Sequence, residues 1–138
     1  MEESIFTKII KGEIPADKIY EDNGIIAIMD INPSNPGHSL VIPKKEYRNI
    51  LETPDETLAK LMSAANKVGK ASMEALGADG FNIIINTASA AGQIVFHTHL
   101  HIIPRFKEDG LRHWQKKPYG SEREMKEIAE KIRNKISN

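Results

Sequence analysis

The sequence contains no cysteine, a single tryptophan and no excess of either charge. Without cysteine, the chain has no disulfide, no thiol nucleophile and no thiolate metal ligand, so any covalent or metal chemistry falls to other side chains. Nineteen Lys and Arg residues balance nineteen Asp and Glu residues, so composition provides no basic face and we expect no nucleic-acid partner. No apolar run approaches the about 18 residues of a membrane span, and the first residues, Met-Glu-Glu-Ser, are acidic where a signal peptide is basic. We therefore expect a soluble cytoplasmic protein with no membrane partner.

Hydrophobic patterning divides the 138 residues, a length typical of one domain, into strands and helices. Asp22-Asn23-Gly24 lies between two β-rich runs, which is a strong signal for a hairpin. The predicted strands are Lys18 to Tyr20, Ile25 to Met29, His38 to Pro43, Phe81 to Asn86 and Val95 to Arg105.

Helical spacing of apolar residues predicts three helices. A short one covers residues 5–10, and a long one begins at a capping box in Thr53 to Glu56 and ends at Gly77. A second capping box at Ser121 begins a C-terminal helix over about residues 122–136. We therefore predict one α+β domain over residues 1–138.

Three of the five histidines alternate in the segment Phe96 to Ile102. If this segment is a strand, His97, His99 and His101 share one face at about 6.6 Å spacing, opposite Thr98, Leu100 and Ile102. A lone histidine in a strand is usually an ordinary hydrogen-bonded residue, but three adjacent imidazoles each need partners for both ring nitrogens. The row therefore indicates a chemical site.

Two chemistries use such a row. The histidines can be ligands of zinc or a similar metal, or one imidazole can attack phosphorus while a neighbour delivers a proton. The sequence has no HExxH motif, and the small residues of Ala91-Gly92-Gln93 allow backbone amides to approach phosphate oxygens. These surroundings favour phosphoryl chemistry.

The segment Gly92 to Arg105 (GQIVFHTHLHIIPR) resembles the signature of the histidine triad (HIT) family of nucleotide hydrolases and transferases. The resemblance continues in residues 4–15, 28–31 and 36–44, so it covers a core of about residues 4–106 and leaves 107–138 as a C-terminal extension. It implies a HIT-like fold, with a five-stranded antiparallel sheet, one long helix, a short N-terminal helix and a C-terminal helix, paired into a homodimer.

The resemblance also implies roles for individual histidines. His99 matches the nucleophile that takes the nucleotidyl group, and His101 matches the histidine that contacts the phosphate and helps the leaving group depart. His97 and His38 match supporting histidines.

Further positions match the family's nucleotide-binding residues. Asp30 matches the carboxylate that accepts the ribose hydroxyls, Asn86 and Gln93 match polar residues that hold the phosphate and the leaving group, and Gly92 and the backbone amide of Ile94 belong to the same phosphate segment. The apolar slot around a purine corresponds to Ile5, Phe6, Ile9, Ile28, Ile31 and Leu40.

The chain departs from the family pattern in two places. Ile94 stands where family members commonly carry Ser or Thr, so the hydroxyl that would donate to the leaving group is missing. Ser4, Thr7 and Glu46 occupy positions where many bacterial relatives have ligands of a structural zinc. We therefore expect neither a metal nor a cofactor.

These resemblances imply metal-independent hydrolysis of a purine nucleotide conjugate at its α-phosphate, with release of a nucleoside monophosphate. Dinucleoside polyphosphates, nucleoside phosphoramidates and aminoacyl adenylates are the substrate classes to test. Two alternatives stay open, namely a nucleotide-binding regulatory module without turnover and an HxHxH metalloenzyme.

The C-terminal extension carries Trp114 and an apolar stripe on its predicted helix. This stripe must be covered, either by its own subunit or across a dimer. Because family dimers place the segment after the triad near the partner's active site, we expect Trp114 and the tail to shape the leaving-group side. The stripe consists of Met125, Ile128, Ala129, Ile132 and Ile136.

Overall fold

The computed structural model describes residues 2–136, in which five strands form one antiparallel sheet with the order β1-β2-β3-β5-β4. The strands are β1 (Lys18–Glu21), β2 (Ile25–Met29), β3 (Ser39–Pro43), β4 (Gly80–Ile85) and β5 (Leu100–Arg105). The α-helices are α1 (Ile5–Ile10), α2 (Asp55–Leu76) and α3 (Glu122–Lys135). The expected α+β architecture, with one long helix and two shorter ones, is confirmed. No helix among the described residues is both long and apolar enough to cross a membrane.

Helix α2 covers one face of the sheet. Alternate residues of the three central strands point toward it, because successive side chains of a strand face opposite sides. They pack against one stripe of the helix and form the larger part of the core. This core contains Ile25, Ala27, Val41, Leu61, Ala64, Ala65, Val68, Leu100 and Ile102.

Helix α1 covers only part of the opposite face. Its Phe6 packs on the intervening residues of β2 and β3, which are Ile26, Ile28, Leu40 and Ile42. The register pairs Ile28 with Leu40 and Leu40 with His101, so an apolar row from β2 continues into the triad. The sheet therefore presents an apolar surface and imidazoles side by side, next to a short helix.

The last strand begins at Leu100 instead of Val95, so the prediction that residues 95–99 belong to this strand is wrong. The Thr98 amide donates to the carbonyl of Tyr47, and the His97 ring bonds the carbonyl of Pro43. These bonds bend the segment before β5 begins. His97 therefore does not continue the strand face that carries His101.

The capping box predicted at Thr53 is also absent. Pro54 precedes α2 without a side-chain cap, while the buried Thr53 hydroxyl lies 2.8 Å from both the Asn49 carbonyl and the Thr98 hydroxyl. Thr53 thus ties the start of α2 to the bend before β5. The predicted stop at Gly77 is confirmed, since this residue adopts φ 68°, where glycine is favoured.

Helix α3 has the predicted cap but does not complete the core of its own subunit. The Ser121 hydroxyl accepts from the Glu124 amide at 3.1 Å, and the Glu124 carboxylate accepts from the Gly120 amide at 2.9 Å. None of its residues is buried, and Met125, Ile132 and Ile136 are exposed. Within residues 2–136, docking of the stripe on its own subunit is therefore not found.

Candidate active site

A cavity of about 470 Å³ lies between α1, the ends of β2 and β3, and the loop before β5. All of the predicted site residues except His97 and Gln93 line it. One end is apolar, with Ile5, Phe6 and Ile9 of α1 facing Ile28 and Leu40, while Ile31 lies at the rim with 91% of its surface exposed. The other end carries the polar side chains Asp30, His38, Asn86, His99 and His101. A cavity with these two ends suits a ligand that joins a heterocycle to charged groups.

A backbone amide sets the position of the His38 proton. The Ser34 N–H donates to Nδ1 of His38 at 3.0 Å, so the neutral ring carries its proton on Nε2. His38 Nε2 lies 2.9 Å from Nδ1 of His101, which must then be the acceptor. His101 consequently carries its own proton on Nε2, and it presents an N–H donor to the cavity.

The proton of His99 lies on the other ring nitrogen, Nδ1. Its Nδ1 lies 2.6 Å from the carbonyl oxygen of His97, so the proton lies on Nδ1 and the lone pair on Nε2. The ring is buried and packs edge-on against Phe6, with centroids 5.0 Å apart, and against His101, with centroids 4.9 Å apart. Neighbouring imidazoles thus offer a lone pair and an N–H, which is the pairing that attack on phosphorus with leaving-group assistance requires.

Burial keeps these imidazoles neutral. Loss of hydration lowers the pKa of His38, His97 and His99 below its ordinary value of 6.5. The pKa of His101 falls to about 4, first because of burial and then because His99 and His38 lie beside it. The Asp30 carboxylate, 3.5 Å from His38 Nε2, opposes the shift of His38. Neutral rings near pH 7 are what the tautomer assignments require.

His97 lies behind the cavity and not in its wall. Its ring is fully buried and bonds through both nitrogens, to the Pro43 carbonyl at 2.8 Å and to the Ser4 hydroxyl at 2.6 Å. Its contribution to the site is the carbonyl oxygen that accepts from His99. This corrects the predicted face shared by three histidines, while the supporting role remains compatible with the geometry.

Gln93 also lies outside the cavity wall, which differs from the predicted contact with phosphate. Its Oε1 accepts from the Ala88 amide at 2.9 Å, and its Nε2 donates to the carbonyls of Arg48 and Val95 at 2.8 and 3.2 Å. The buried side chain therefore shapes the loop from inside. Because its amide group is already hydrogen-bonded on both sides, it has to release loop contacts before it can reach a ligand.

The small-residue loop contains two residues with positive φ, one of which, Ala88, is a strained non-glycine residue. Ala88 adopts φ 74° and Gly92 adopts φ 96°, on either side of a 3-10 turn over Ser89–Ala91. A side chain at Gly92 would contact the amide of Asn86 at about 3.5 Å, so the glycine brings the backbone close to this polar residue. Ile94 follows with 86% of its surface exposed at the cavity mouth.

Existing hydrogen bonds compete with a metal for the ring nitrogens of the site. Among residues 2–136, the group close enough to share one consists of Asp30, His38 and His101, with ligand atoms within 4.8 Å of one another. A metal on His38 Nε2 would displace the only ring proton, because Nδ1 already accepts from Ser34. His97, His99 and His101 are also poorly arranged to bind one metal together, because both ring nitrogens of His97 already bond the Ser4 hydroxyl and the Pro43 carbonyl.

Comparison with known proteins agrees with the triad geometry. The model of the HIT-domain family matches residues 11–108. A HIT-like protein of Methanocaldococcus jannaschii, described as uncharacterised, is 49% identical over 106 residues, which cover 77% of this chain and 81% of that protein. A crystal structure of a HIT family member from Bacillus subtilis superposes with a TM-score of 0.89 at 36% identity, covering 99% of both chains. This chain belongs to the histidine triad family.

A plant protein extends the comparison to a named activity. Adenylylsulfatase HINT3 of Arabidopsis thaliana is 47% identical to this HIT protein over 107 residues, covering 78% of this chain and 54% of the plant protein. The chain therefore spans about half the length of that relative. The family and fold implied by the sequence resemblance are both confirmed.

Sequence reasoning missed Ser34, whose amide orients His38 and through it His101. No side-chain pattern signals this contact, because the donor is the backbone and any residue except proline could supply it. Reasoning from the residues also missed that Ile14, Pro15 and Ala16 line the apolar end. For this part of the chain, the sequence predicted only the short helix over residues 5–10.

Proposed function

We propose that this HIT protein is a nucleotide hydrolase that acts at the α-phosphate of a purine nucleotide conjugate and releases a nucleoside monophosphate. The observation that carries the proposal is the pairing of a free Nε2 lone pair on His99 with an N–H on His101 in one cavity. Both rings are held by bonds to groups with fixed hydrogen-bonding character, so the pair needs little rearrangement before reaction.

In the first step, His99 Nε2 forms a bond to the α-phosphorus while the bond from phosphorus to the leaving group breaks. The phosphorylated ring becomes cationic, and its Nδ1–H remains bonded to the carbonyl of His97, which stabilises the charge. The departing atom takes the electron pair of the broken bond and accepts from the Nε2–H of His101. In the second step, water attacks phosphorus and the P–N bond breaks. The electron pair of that bond returns to His99 Nε2, and the proton that water loses passes to solvent.

The nucleoside has a matching place in the cavity. The apolar end between α1 and β2 suits a purine, and Asp30 lines the same cavity next to His38. One Asp30 oxygen accepts from the Asn32 amide at 2.8 Å, and the other faces His38 at 3.5 Å. A partly exposed carboxylate held in this way can accept ribose hydroxyls while the phosphate reaches His99.

The substrate classes to test include dinucleoside polyphosphates, nucleoside phosphoramidates and aminoacyl adenylates. The name of the plant relative adds adenylyl sulfate, another conjugate of an adenylyl group. All four present an α-phosphorus bonded to a leaving group. Ile94, which provides no hydroxyl at the cavity mouth, favours leaving groups that depart without a donor from this position.

We also propose that residues 1–138 act as a single cytoplasmic HIT domain that pairs with a second copy. Strand β4 lies at the edge of the sheet, and all six of its residues are partly exposed. It is rich in apolar residues, with Phe81, Ile83, Ile84 and Ile85. An apolar edge strand of this kind is usually covered. Light scattering after size-exclusion chromatography should give twice the chain mass of 15.5 kDa.

Intact-mass spectrometry of protein quenched during turnover tests the reaction. The protein incubated with each of the four substrate classes should gain one nucleotidyl group, and His99→Gly should gain none. The control Lys70→Gln, at an exposed position on α2 outside the cavity, should behave as wild type. An adduct that persists in His99→Gly would contradict the role of His99.

The same samples separate the alternatives. Tight nucleotide binding with neither an adduct nor a released monophosphate would support a regulatory module. Turnover that is lost on EDTA dialysis and restored by zinc would support a metalloenzyme. We expect turnover to survive EDTA dialysis.

A further inference from the structure

Three polar residues join α1 to the segment after β3, and we call them the α1 clamp. The clamp consists of Ser4, Thr7 and Glu46. Glu46 Oε1 accepts from the Ser4 amide at 2.9 Å and from the Thr7 hydroxyl at 2.6 Å. The Thr7 amide in turn donates to the Ser4 hydroxyl at 3.0 Å, which caps the helix. The start of α1 is therefore fixed to residues far away in the sequence.

The clamp ends on the first histidine of the triad. Ser4 Oγ lies 2.6 Å from Nδ1 of His97. Because His97 Nε2 bonds the Pro43 carbonyl, which can only accept, the neutral ring carries its proton on Nε2 and leaves Nδ1 as an acceptor. The Ser4 hydroxyl must then donate its single hydrogen to His97, although the Thr7 hydroxyl is also near, at 3.2 Å.

The nucleophile depends on the same histidine. The carbonyl oxygen of His97 accepts from Nδ1 of His99 at 2.6 Å. Phe6, two residues after Ser4, packs edge-on against both rings, with centroids 5.7 Å from His97 and 5.0 Å from His99. Movement of the clamp therefore acts on His99 in two ways, through the carbonyl that holds its proton and through the aromatic ring that packs on it.

We propose that Ser4 is a positioning residue for His99. Its hydroxyl holds the His97 ring, the His97 carbonyl keeps the His99 proton on Nδ1, and Nε2 of His99 stays free. Without the hydroxyl, Nδ1 of His97 becomes a fully buried acceptor without a partner, and the ring and its backbone shift to recover one. The effect on rate depends on the proposed hydrolase function, whereas the effect on the His99 proton does not.

Ring-nitrogen NMR measures the position of the His99 proton directly. Long-range proton–nitrogen spectra of the wild-type protein should show a protonated Nδ1 and an unprotonated Nε2 for His99. Ser4→Ala should give a mixture of the two tautomers, and Ser4→Thr, which keeps a hydroxyl, should restore the wild-type pattern. Ser121→Ala removes the equivalent cap from α3 and should leave His99 unchanged, which separates positioning from fraying of a helix.

Steady-state kinetics gives a second reading. Ser4→Ala should lower kcat by about tenfold or more with little change in KM, as expected when one buried hydrogen bond that aligns the nucleophile is lost. If Ser4→Ala does not fold, Ser4→Gly removes the hydroxyl while largely retaining the cap, and the same result is expected.

The two readings separate the outcomes. An unchanged His99 tautomer in both Ser4→Ala and Ser4→Gly would overturn the proposal, whatever the rates. A tautomer mixture in a protein that hydrolyses no nucleotide would support the positioning role and refute the proposed function.

Discussion

Acid should destabilise the folded chain through His101. Burial, together with the neighbouring His99 and His38, lowers the pKa of this imidazole from 6.5 to about 4. In the unfolded chain the ring takes up a proton near its ordinary pKa, so below about pH 6.5 the unfolded state binds more protons than the native state. Stability is unaffected above that pH and falls progressively as the pH approaches 4.

The size of the effect follows from the pKa difference. One pKa unit corresponds to about 1.4 kcal/mol, so the fall from 6.5 to about 4 amounts to about 3 kcal/mol in the free energy of unfolding. About 2 kcal/mol of this is lost by about pH 5, where the unfolded imidazole is nearly fully charged and the folded one is still neutral. His38, His97 and His99, whose pKa values burial also lowers, add to the loss.

Urea unfolding at about pH 7.5 and about pH 5 measures this loss. Circular dichroism is the suitable probe, because the single tryptophan, Trp114, has 86% of its surface exposed and reports little on the core. His101→Asn removes the titrating ring and keeps an acceptor near the position of Nδ1, so the difference between the two pH values should shrink by about 2 kcal/mol. His113→Asn, at an exposed site, should leave the difference unchanged. Equal acid sensitivity of wild type and His101→Asn would refute the reasoning.

Three further experiments test other parts of the structure. Asp30→Asn should weaken ribonucleotide binding about tenfold or more in titration calorimetry and narrow the preference over deoxyribonucleotides, because a charge-assisted bond contributes about 1.5–3 kcal/mol; equal losses on both sugars would argue against ribose contact. Gly69→Ala places a Cβ 2.4 Å from the Phe81 ring and should lower the free energy of unfolding in urea by about 1–3 kcal/mol. The control Gly80→Ala, whose Cβ meets nothing within 4 Å, should not show this overpacking cost. An unchanged stability of Gly69→Ala would contradict the packing. Truncation after Arg112 should leave the melting temperature of the remaining domain nearly unchanged, because α3 buries none of its residues. The same truncation should alter the order of preferred substrates. An unchanged order with a lowered melting temperature would count against a role of the tail at the site.

The sequence predicted most strands because their hydrogen bonds follow local patterning. β2 and the end of α2 match closely, since an apolar run and a terminating Gly77 determine them within a few residues. The bend before β5 did not follow from local patterning, because it depends on bonds from Thr98 to Tyr47 and from His97 to Pro43. Alternating histidines resemble a strand until those distant partners are known.

The candidate site also combines features that the local sequence predicts with features that depend on distant contacts. Spacing and resemblance identified Asp30, His38, His99 and His101, which the fold brings to one cavity. Gln93 has the expected residue type in the expected motif, yet its amide faces the loop interior, where Ala88 and Arg48 provide partners. Side-chain direction in an irregular loop depends on such contacts, which residue order does not encode locally.

The amide of Ser34 gives the row of imidazoles a polarity. The two hydrogen bonds from Ser34 to His38 and from His38 to His101 have the same donor-to-acceptor direction. The last ring, His101, therefore presents an N–H group to the cavity. A proline at position 34 would remove the amide hydrogen that donates to His38 Nδ1. His38 could then carry its proton on Nδ1 and accept from His101 through Nε2. His101 would then present a lone pair instead of an N–H to the cavity, and the proposed hydrogen bond to the leaving group would be lost. The hydrogen-bonding character of His101 thus depends on a backbone amide in a surface turn, at a position outside the histidine motif.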